Sequence, residues 1–138
     1  MEPGVAEVAR HAYAWWNEGR EEDLLASFHP EVVYLTSGTF PGLDPEYRGH
    51  DGLRRFRAEM LEAWEAFDVF PSSISERDGA VVIQIRFRGT GRGSGIKVEL
   101  DFHHVASMED GLVRRFAASP DLDAAFASLR ESEPGGRV

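Results

Sequence analysis

The chain has 138 residues, 42% of them apolar, which is enough length and hydrophobicity to bury a core without disulfides or metals. Its net charge of −9 argues against nucleic acid and anionic membranes as partners, because both require clustered cations. The absence of cysteine excludes disulfide bridges, thiolate metal sites and cysteine nucleophiles.

The composition also bears on location and domain organisation. No apolar run approaches the roughly 18 residues that span a bilayer, and the first residues lack the basic and apolar regions of a signal peptide. We therefore expect a soluble, cytoplasmic protein with one domain over residues 1–138. Its ordered core is predicted over residues 5–130, and the C-terminal tail is predicted to fray.

Helical periodicity dominates the first half of the chain. Apolar residues predict helices over residues 5–17, over residues 21–27 and from Asp51 onward, with Asp51 as the expected N-cap. The buried stripe of the third helix is predicted to contain Leu53, Phe56, Met60, Trp64 and Phe67. Between the helices, residues 32–36 predict a strand, and residues 37–47 predict a loop that forms a lid or pocket rim.

The second half of the chain has the period of strands. From Phe70 onward apolar residues alternate with polar ones. Strands are predicted over residues 81–88, 96–108 and 112–118, and turns over residues 77–79, 89–95 and 109–111. Together they predict an antiparallel meander, followed by a short helix over residues 121–129.

Side-chain alternation divides this meander into an apolar and a polar face. The apolar face is predicted to contain Val81, Ile83, Ile85, Phe87, Val98, Leu100, Phe102, His104 and Ala106. The polar face is predicted to contain a ladder in which Arg86 lies opposite Glu99 and Gln84 lies near Asp101. His104 is the exception on the apolar face, because a buried imidazole needs hydrogen-bond partners, either in the core or in a pocket.

Histidines are the main candidates for metal ligands in this chain. His103 and His104 are adjacent on a strand and point to opposite faces, so they do not easily share a metal. His11, His29 and His50 show no ligand spacing. The sequence therefore predicts neither a metal site nor another cofactor.

Four motifs occur in a fixed order along the chain: Trp-Trp-Asn-Glu-Gly-Arg, Leu-Leu-Ala-Ser-Phe-His-Pro-Glu-Val, Tyr-Arg-Gly-His-Asp-Gly-Leu-Arg-Arg-Phe, and His-Val followed by Asp-Gly-Leu-Val-Arg-Arg-Phe. This set resembles the SnoaL-like branch of the nuclear transport factor two-like (ketosteroid isomerase-like) superfamily over residues 5–129. The resemblance implies an α+β fold, a cone-shaped curved antiparallel β-sheet packed against N-terminal helices around an apolar pocket. It also implies a homodimer through the outer sheet face, which carries Gln84, Arg86, Glu99 and Asp101.

The same resemblance bears on activity, because relatives include ketosteroid isomerase, polyketide cyclases, dehydratases and epoxide hydrolases beside proteins that only bind ligands. It puts Thr36 where the isomerase has its catalytic aspartate, and a neutral hydroxyl cannot act as that base. The aspartate of the oxyanion hole falls on His103 or His104, and the face argument selects His104. Tyr13 lies within a residue of the family's tyrosine. Ordinary steroid isomerisation is therefore not expected.

Two functions remain open at this point. One is a cyclase, isomerase or dehydratase in which His104 is the acid–base group and Tyr34 or Thr36 orients a carbonyl. The other is a non-catalytic module that binds a ligand or forms a structural dimer. For the enzyme and for the binding module, a small apolar molecule is the expected ligand, and the predicted contacts are Tyr13, Trp16, Phe56, Met60, Phe87, Phe102 and Phe116.

Overall fold

The computed structural model describes residues 3–36, 39–40 and 42–131. The helices are α1 (Pro3–Glu18), α2 (Glu21–Leu25), α3 (Gly49–Ala63) and α4 (Leu122–Glu131). The strands are β1 (Phe28–Leu35), β2 (Glu46–Arg48), β3 (Trp64–Arg77), β4 (Ala80–Gly91), β5 (Lys97–Glu109) and β6 (Leu112–Ser119). Within these residues, no helix has the length and apolar character needed to cross a membrane.

The six strands form one curved open sheet in the order β2-β1-β6-β5-β4-β3. Neighbouring strands are antiparallel except β1 and β6, which run parallel, so the predicted antiparallel sheet is mixed at this one pair. Asp-Gly turns join β3 to β4 and β5 to β6, with positive φ at Asp78, Gly79, Asp110 and Gly111. Two consecutive positive φ angles match the twist of the flanking strands, which explains these tight hairpins. The predicted α+β fold is confirmed.

The inner face of the sheet holds the main core against the N-terminal helices. The register pairs Ile83 with His104 and Ile85 with Phe102, which confirms the predicted apolar face. On the other face, α4 packs Phe126 and Leu129 against β5 and β6. The inner core is therefore the one that faces α1 and α3, and it is the part of the molecule that can enclose a ligand.

The largest correction concerns the end of the third helix. Trp64 and Phe67 lie on β3 and not on α3, because β4 continues to Gly91 and pairs with them. Gly89 lets the Trp64 ring pack closely against β4, since a Cβ at position 89 would lie 2.7 Å from that ring. The predicted N-cap is also displaced: Arg48 takes that position, and Asp51 lies in the first turn.

Other boundaries shift by smaller amounts. The helix predicted to reach Ser27 ends at Leu25, and β1 begins at Phe28, before the predicted strand. The predicted loop over residues 37–47 includes the start of β2. Within that loop, residues 37, 38 and 41 lie outside the described residues, as does the tail over residues 132–138.

The outer ladder differs in register from the prediction. Arg86 lies opposite Asp101, Arg88 lies opposite Glu99, and Gln84 lies opposite His103. The predicted pairing was wrong by two residues because the β4–β5 turn takes fewer residues from β4 than the glycines suggest. An even shift keeps every side chain on its predicted face. The dimer through this face stays a prediction.

Candidate functional site

A cavity of about 120 Å³ lies between the inner sheet face and the helices α1, α2 and α3. Helix α1 contributes Ala9, Ala12, Tyr13 and Trp16, which share one face of the helix by their spacing. An apolar protein cavity of about 150 Å³ holds one benzene molecule, so this space suits a single ring.

All seven residues that the sequence assigns to ligand binding lie along this cavity. They are Tyr13, Trp16, Phe56, Met60, Phe87, Phe102 and Phe116. Their rings also contact one another: the Trp16 and Phe56 ring centroids are 5.8 Å apart. The structure therefore brings the set together, while its role in binding stays a prediction.

Three polar side chains, Tyr13, His104 and Tyr34, meet in this apolar lining, and we call them the triad. The Tyr13 hydroxyl lies 2.6 Å from His104 Nδ1, and the Tyr34 hydroxyl lies 2.9 Å from Nε2. His104 is 8% exposed, and Phe102 and Phe116 pack edge-on against its ring. Both ring nitrogens of His104 therefore have a hydrogen-bond partner inside the protein.

The number of protons in the triad leaves one hydroxyl hydrogen unused. A neutral imidazole has one N–H and one bare nitrogen, so one tyrosine donates to His104 and the other accepts from it. The tyrosine that accepts keeps its own O–H hydrogen. Among the described residues, neither hydroxyl has a further hydrogen bond. One O–H is therefore left for a ligand, from Tyr13 in one tautomer and from Tyr34 in the other.

Burial keeps all three members of the triad neutral. It lowers the pKa of His104 to about 3, because the charged imidazolium loses its hydration. Burial, and to a smaller extent the neighbouring Tyr34, raises the pKa of Tyr13 well above its ordinary value. Burial, followed by Tyr47, likewise raises the pKa of Tyr34. At neutral pH the triad can donate and relay protons, but it holds neither a tyrosinate nor an imidazolium.

Thr36 does not line this cavity, which corrects the prediction that its hydroxyl is available to orient a carbonyl there. The residue follows the end of β1 and is fully buried away from the cavity. Its hydroxyl donates to the carbonyl oxygen of Asp44, so it ties the following loop to the strand. No carboxylate takes its place among the cavity residues of β1.

The cavity also contains residues that the sequence analysis missed. Arg57, Glu21 and Phe40 line it. Arg57 follows Leu53 by four residues and so shares its face of α3, a signal that was present in the spacing. Phe40 belongs to the predicted rim loop, and its ring lies 5.5 Å from that of Phe102, which fits a role in closing the cavity.

A second polar cluster lies away from the cavity. His29, Glu109 and Asp110 each offer one ligand atom, and these atoms lie within 4.8 Å of one another. His29 Nδ1 accepts a hydrogen bond from the backbone N–H of Glu31, so Nε2 carries the proton and donates to Glu109 at 3.0 Å. A protonated Nε2 cannot bind a metal, and the cluster is explained by hydrogen bonding.

Solved structures share this architecture. TerC, co-crystallised with polyporic acid, is 27% identical over 93% of this chain and 98% of its own, with a TM-score of 0.74. An NTF2-like protein of unknown function from Burkholderia pseudomallei is 22% identical over 94% and 98%, with a TM-score of 0.77. A hypothetical protein with a ketosteroid isomerase-like fold from Catenulispora acidiphila, in complex with trimethylamine, is 12% identical over 97% and 100%, with a TM-score of 0.71.

The sequence agrees with the structural likeness. No curated protein matches the chain significantly. The family model described as the SnoaL-like domain matches residues 9–116, which include Tyr13, Tyr34 and His104 and most of the cavity lining. The chain belongs to the SnoaL-like domain family.

Proposed function

We propose that the chain binds a small cyclic carbonyl or enol compound and catalyses a proton shift on it, as in isomerisation, cyclisation or dehydration. The triad carries this proposal, because it offers one tyrosine O–H without a protein acceptor in a cavity lined mostly by apolar side chains. A positioned donor in a water-poor site stabilises negative charge that develops on a carbonyl oxygen. The free O–H is suited to that role.

The triad can also move a proton without changing its net charge. One tyrosine gives its free proton to the ligand oxygen and takes the proton of the adjacent imidazole nitrogen. The opposite nitrogen takes the proton of the second tyrosine, which then takes a proton from a carbon or hydroxyl of the ligand. One proton leaves the ligand and one arrives, and His104 finishes as the other tautomer.

The comparisons support this ligand class. TerC was co-crystallised with polyporic acid, an aryl hydroxyquinone, and compounds of that kind carry the carbonyl and enol oxygens that the triad would meet. The cavity of about 120 Å³ suits one ring, so a ligand as large as polyporic acid would require it to widen. A monocyclic compound is the first choice of probe.

A second function, binding without catalysis, is favoured by one observation. His104 has a pKa lowered to about 3, and Thr36 lies outside the cavity, so the triad has no strong base beside it. A binding protein needs only the hydrogen bond from the free O–H. The two functions therefore share a ligand class and differ in whether a proton leaves the ligand.

Deuterium exchange into cyclohexenone, followed by NMR in heavy water, tests the proposal. The wild-type chain is expected to accelerate exchange next to the carbonyl, and Tyr13→Phe and Tyr34→Phe are expected to slow it about a hundredfold, the usual effect of losing one oxyanion donor. Tyr47→Phe is the matched control, because its hydroxyl contacts Asp44 and Glu59 and not the cavity. Binding of cyclohexenone without faster exchange would favour the second function. If the chain neither binds cyclohexenone nor speeds its exchange, both functions are rejected.

A further inference from the structure

We infer that the ligand carries an anionic oxygen, such as a carboxylate, that binds between Trp16 and Arg57 at one end of the cavity. This inference rests on the proposed function, since it names the ligand class for the same site. It would make the substrate a cyclic or aromatic carboxylate with a carbonyl or hydroxyl elsewhere on the ring.

Two unsatisfied donors lead to this inference. Trp16 Nε1 and Arg57 Nε are buried nitrogen atoms with no hydrogen-bond partner among the described residues. Both groups only donate hydrogen bonds. A buried N–H without an acceptor is costly and rare in native proteins, so each such group needs an explanation. An acceptor supplied by the ligand explains both at once.

The two donors are neighbours on the cavity wall. Trp16 and Arg57 both line the cavity, and the guanidinium carbon of Arg57 lies 5.5 Å from the centroid of the Trp16 ring. Trp16 also lies one helical turn after Tyr13 on α1, so one face of this helix presents a member of the triad and one of the two donors. A ring with an oxygen at each end can meet both groups.

Arg57 differs from the other arginines of its helix. Arg54 forms ion pairs with Glu22 and Asp51, and Arg55 forms ion pairs with Asp44 and Glu59. Among the described residues, Arg57 has no ion pair, and its hydrogen bond to the Trp16 carbonyl oxygen is long, at 3.4 Å. Its positive charge is therefore available to an anion, and a guanidinium suits a carboxylate in geometry.

One acidic residue opposes the anion. Glu21 lines the same cavity, and like Arg57 it is only partly buried. It forms no ion pair with Arg57, so the two charges do not cancel by direct contact. A carboxylate ligand must sit on the Arg57 side, and removal of the Glu21 charge is expected to strengthen its binding.

The test compares benzoate with benzamide, its neutral analogue of similar size, by calorimetric titration of the full chain. We expect wild-type protein to bind benzoate about tenfold more tightly, the effect of one charge-assisted hydrogen bond. Arg57→Met and Trp16→Phe are expected to reduce that preference, measured for each variant as the ratio of its benzoate affinity to its benzamide affinity. Arg54→Met is the matched control on the same helix, and its preference should equal that of wild type.

The Glu21→Gln variant keeps the test decisive if Arg57→Met does not fold. We expect it to bind benzoate more tightly than wild type does, and unchanged binding would count against the inference. Equal affinity of wild type for benzoate and benzamide would overturn the inference and leave the triad's proposed chemistry intact. An Arg57-dependent preference for benzoate, without triad-dependent deuterium exchange, would instead reject the proposed function alone.

Discussion

The two faces of β4 and β5 hold their polar groups in opposite ways. On the inner face, His104 is 8% exposed and its partners are neutral hydroxyls. On the outer face, Arg86 and Asp101 form a bidentate ion pair with nitrogen–oxygen distances of 2.9 and 3.1 Å, and both side chains are about half exposed. Charges lie where water solvates them, and the buried polar groups are uncharged and joined to one another.

This contrast indicates what each face contributes. A buried hydrogen-bonded group is costly to leave without its partner, whereas an exposed ion pair is replaced by water at little cost. The inner face should therefore respond strongly to single substitutions and to pH, and the outer face weakly. Arg57 and Glu21 are the exceptions among the cavity residues, since each brings a charge to the inner side.

The largest effect is expected from His104→Leu, which removes the partner of both tyrosine hydroxyls. Each buried group left unsatisfied costs about 1–3 kcal/mol, so the loss of two partners should lower the free energy of unfolding by about 2–6 kcal/mol. Urea denaturation measures it. His104→Gln should lower the free energy of unfolding by less, because the amide keeps a donor and an acceptor.

A triple variant separates hydrogen bonding from packing in this result. Tyr13→Phe, Tyr34→Phe and His104→Leu together replace every member of the triad by an apolar side chain. Because removal of both partners is nearly neutral, the triple variant should recover most of the stability that His104→Leu loses. A triple variant as unstable as His104→Leu would assign the loss to the shape of the imidazole and not to its hydrogen bonds.

The second prediction concerns pH. Burial lowers the pKa of His104 from 6.5 to about 3 in the folded chain, so between these values the unfolded chain binds a proton that the folded chain does not. The free energy of unfolding is therefore unaffected by protonation of His104 above pH 6.5, and it decreases as the pH falls toward 3. The loss is about 1.4 kcal/mol per pH unit within that window, or about 2 kcal/mol at pH 5.

Urea denaturation of the wild-type chain and His104→Gln at a series of pH values isolates this contribution. Other groups titrate in both proteins, so the difference between the two curves belongs to position 104. We expect the difference to change steadily between pH 6.5 and the acid end of the series. A constant difference would mean that His104 is not held neutral by burial.

The sequence predicted the inner face better than it predicted the triad. Alternation along a strand places His104 in line with Phe102 and Ala106, and a register shift of two residues does not alter that face. The bond between Tyr13 and His104 joins residues 91 positions apart, and it depends on how α1 crosses β5. No local pattern encodes such a crossing.

The end of α3 shows a second limit of local patterns. Met60, Trp64 and Phe67 continue a helical spacing, so periodicity alone extends the helix through them. Trp64 instead belongs to a strand because it pairs with Gly91, and this pairing depends on how far β4 continues after Phe87. The prediction for Thr36 was wrong for a related reason, because the face on which Thr36 lies depends on where β1 ends and the chain turns toward Asp44.

A smaller effect is expected at Tyr47, which is fully buried between α3 and the loop before β2. Its hydroxyl accepts from the Asp44 N–H at 3.0 Å and donates to Glu59 Oε1 at 2.6 Å. Tyr47→Phe should lower the free energy of unfolding by about 1.5 kcal/mol, because one bond is to a charged group. Faster hydrogen exchange of the Asp44 amide would show that the lost stability comes from this contact. Glu59→Gln keeps an acceptor for the hydroxyl, so it should lower the free energy of unfolding by less.

The smallest effect is expected on the outer face, from a double-mutant cycle of Arg86→Ala and Asp101→Ala. Hydrogen bonding to Arg86 lowers the pKa of Asp101, yet both side chains are exposed to water and salt. Their coupling should approach the measurement error and vanish at high ionic strength, whatever the protein concentration. A coupling that persists in salt and grows with protein concentration would mean that a second copy of the chain covers this face. The outer face would then resemble the inner one, because both would hold their polar groups away from water.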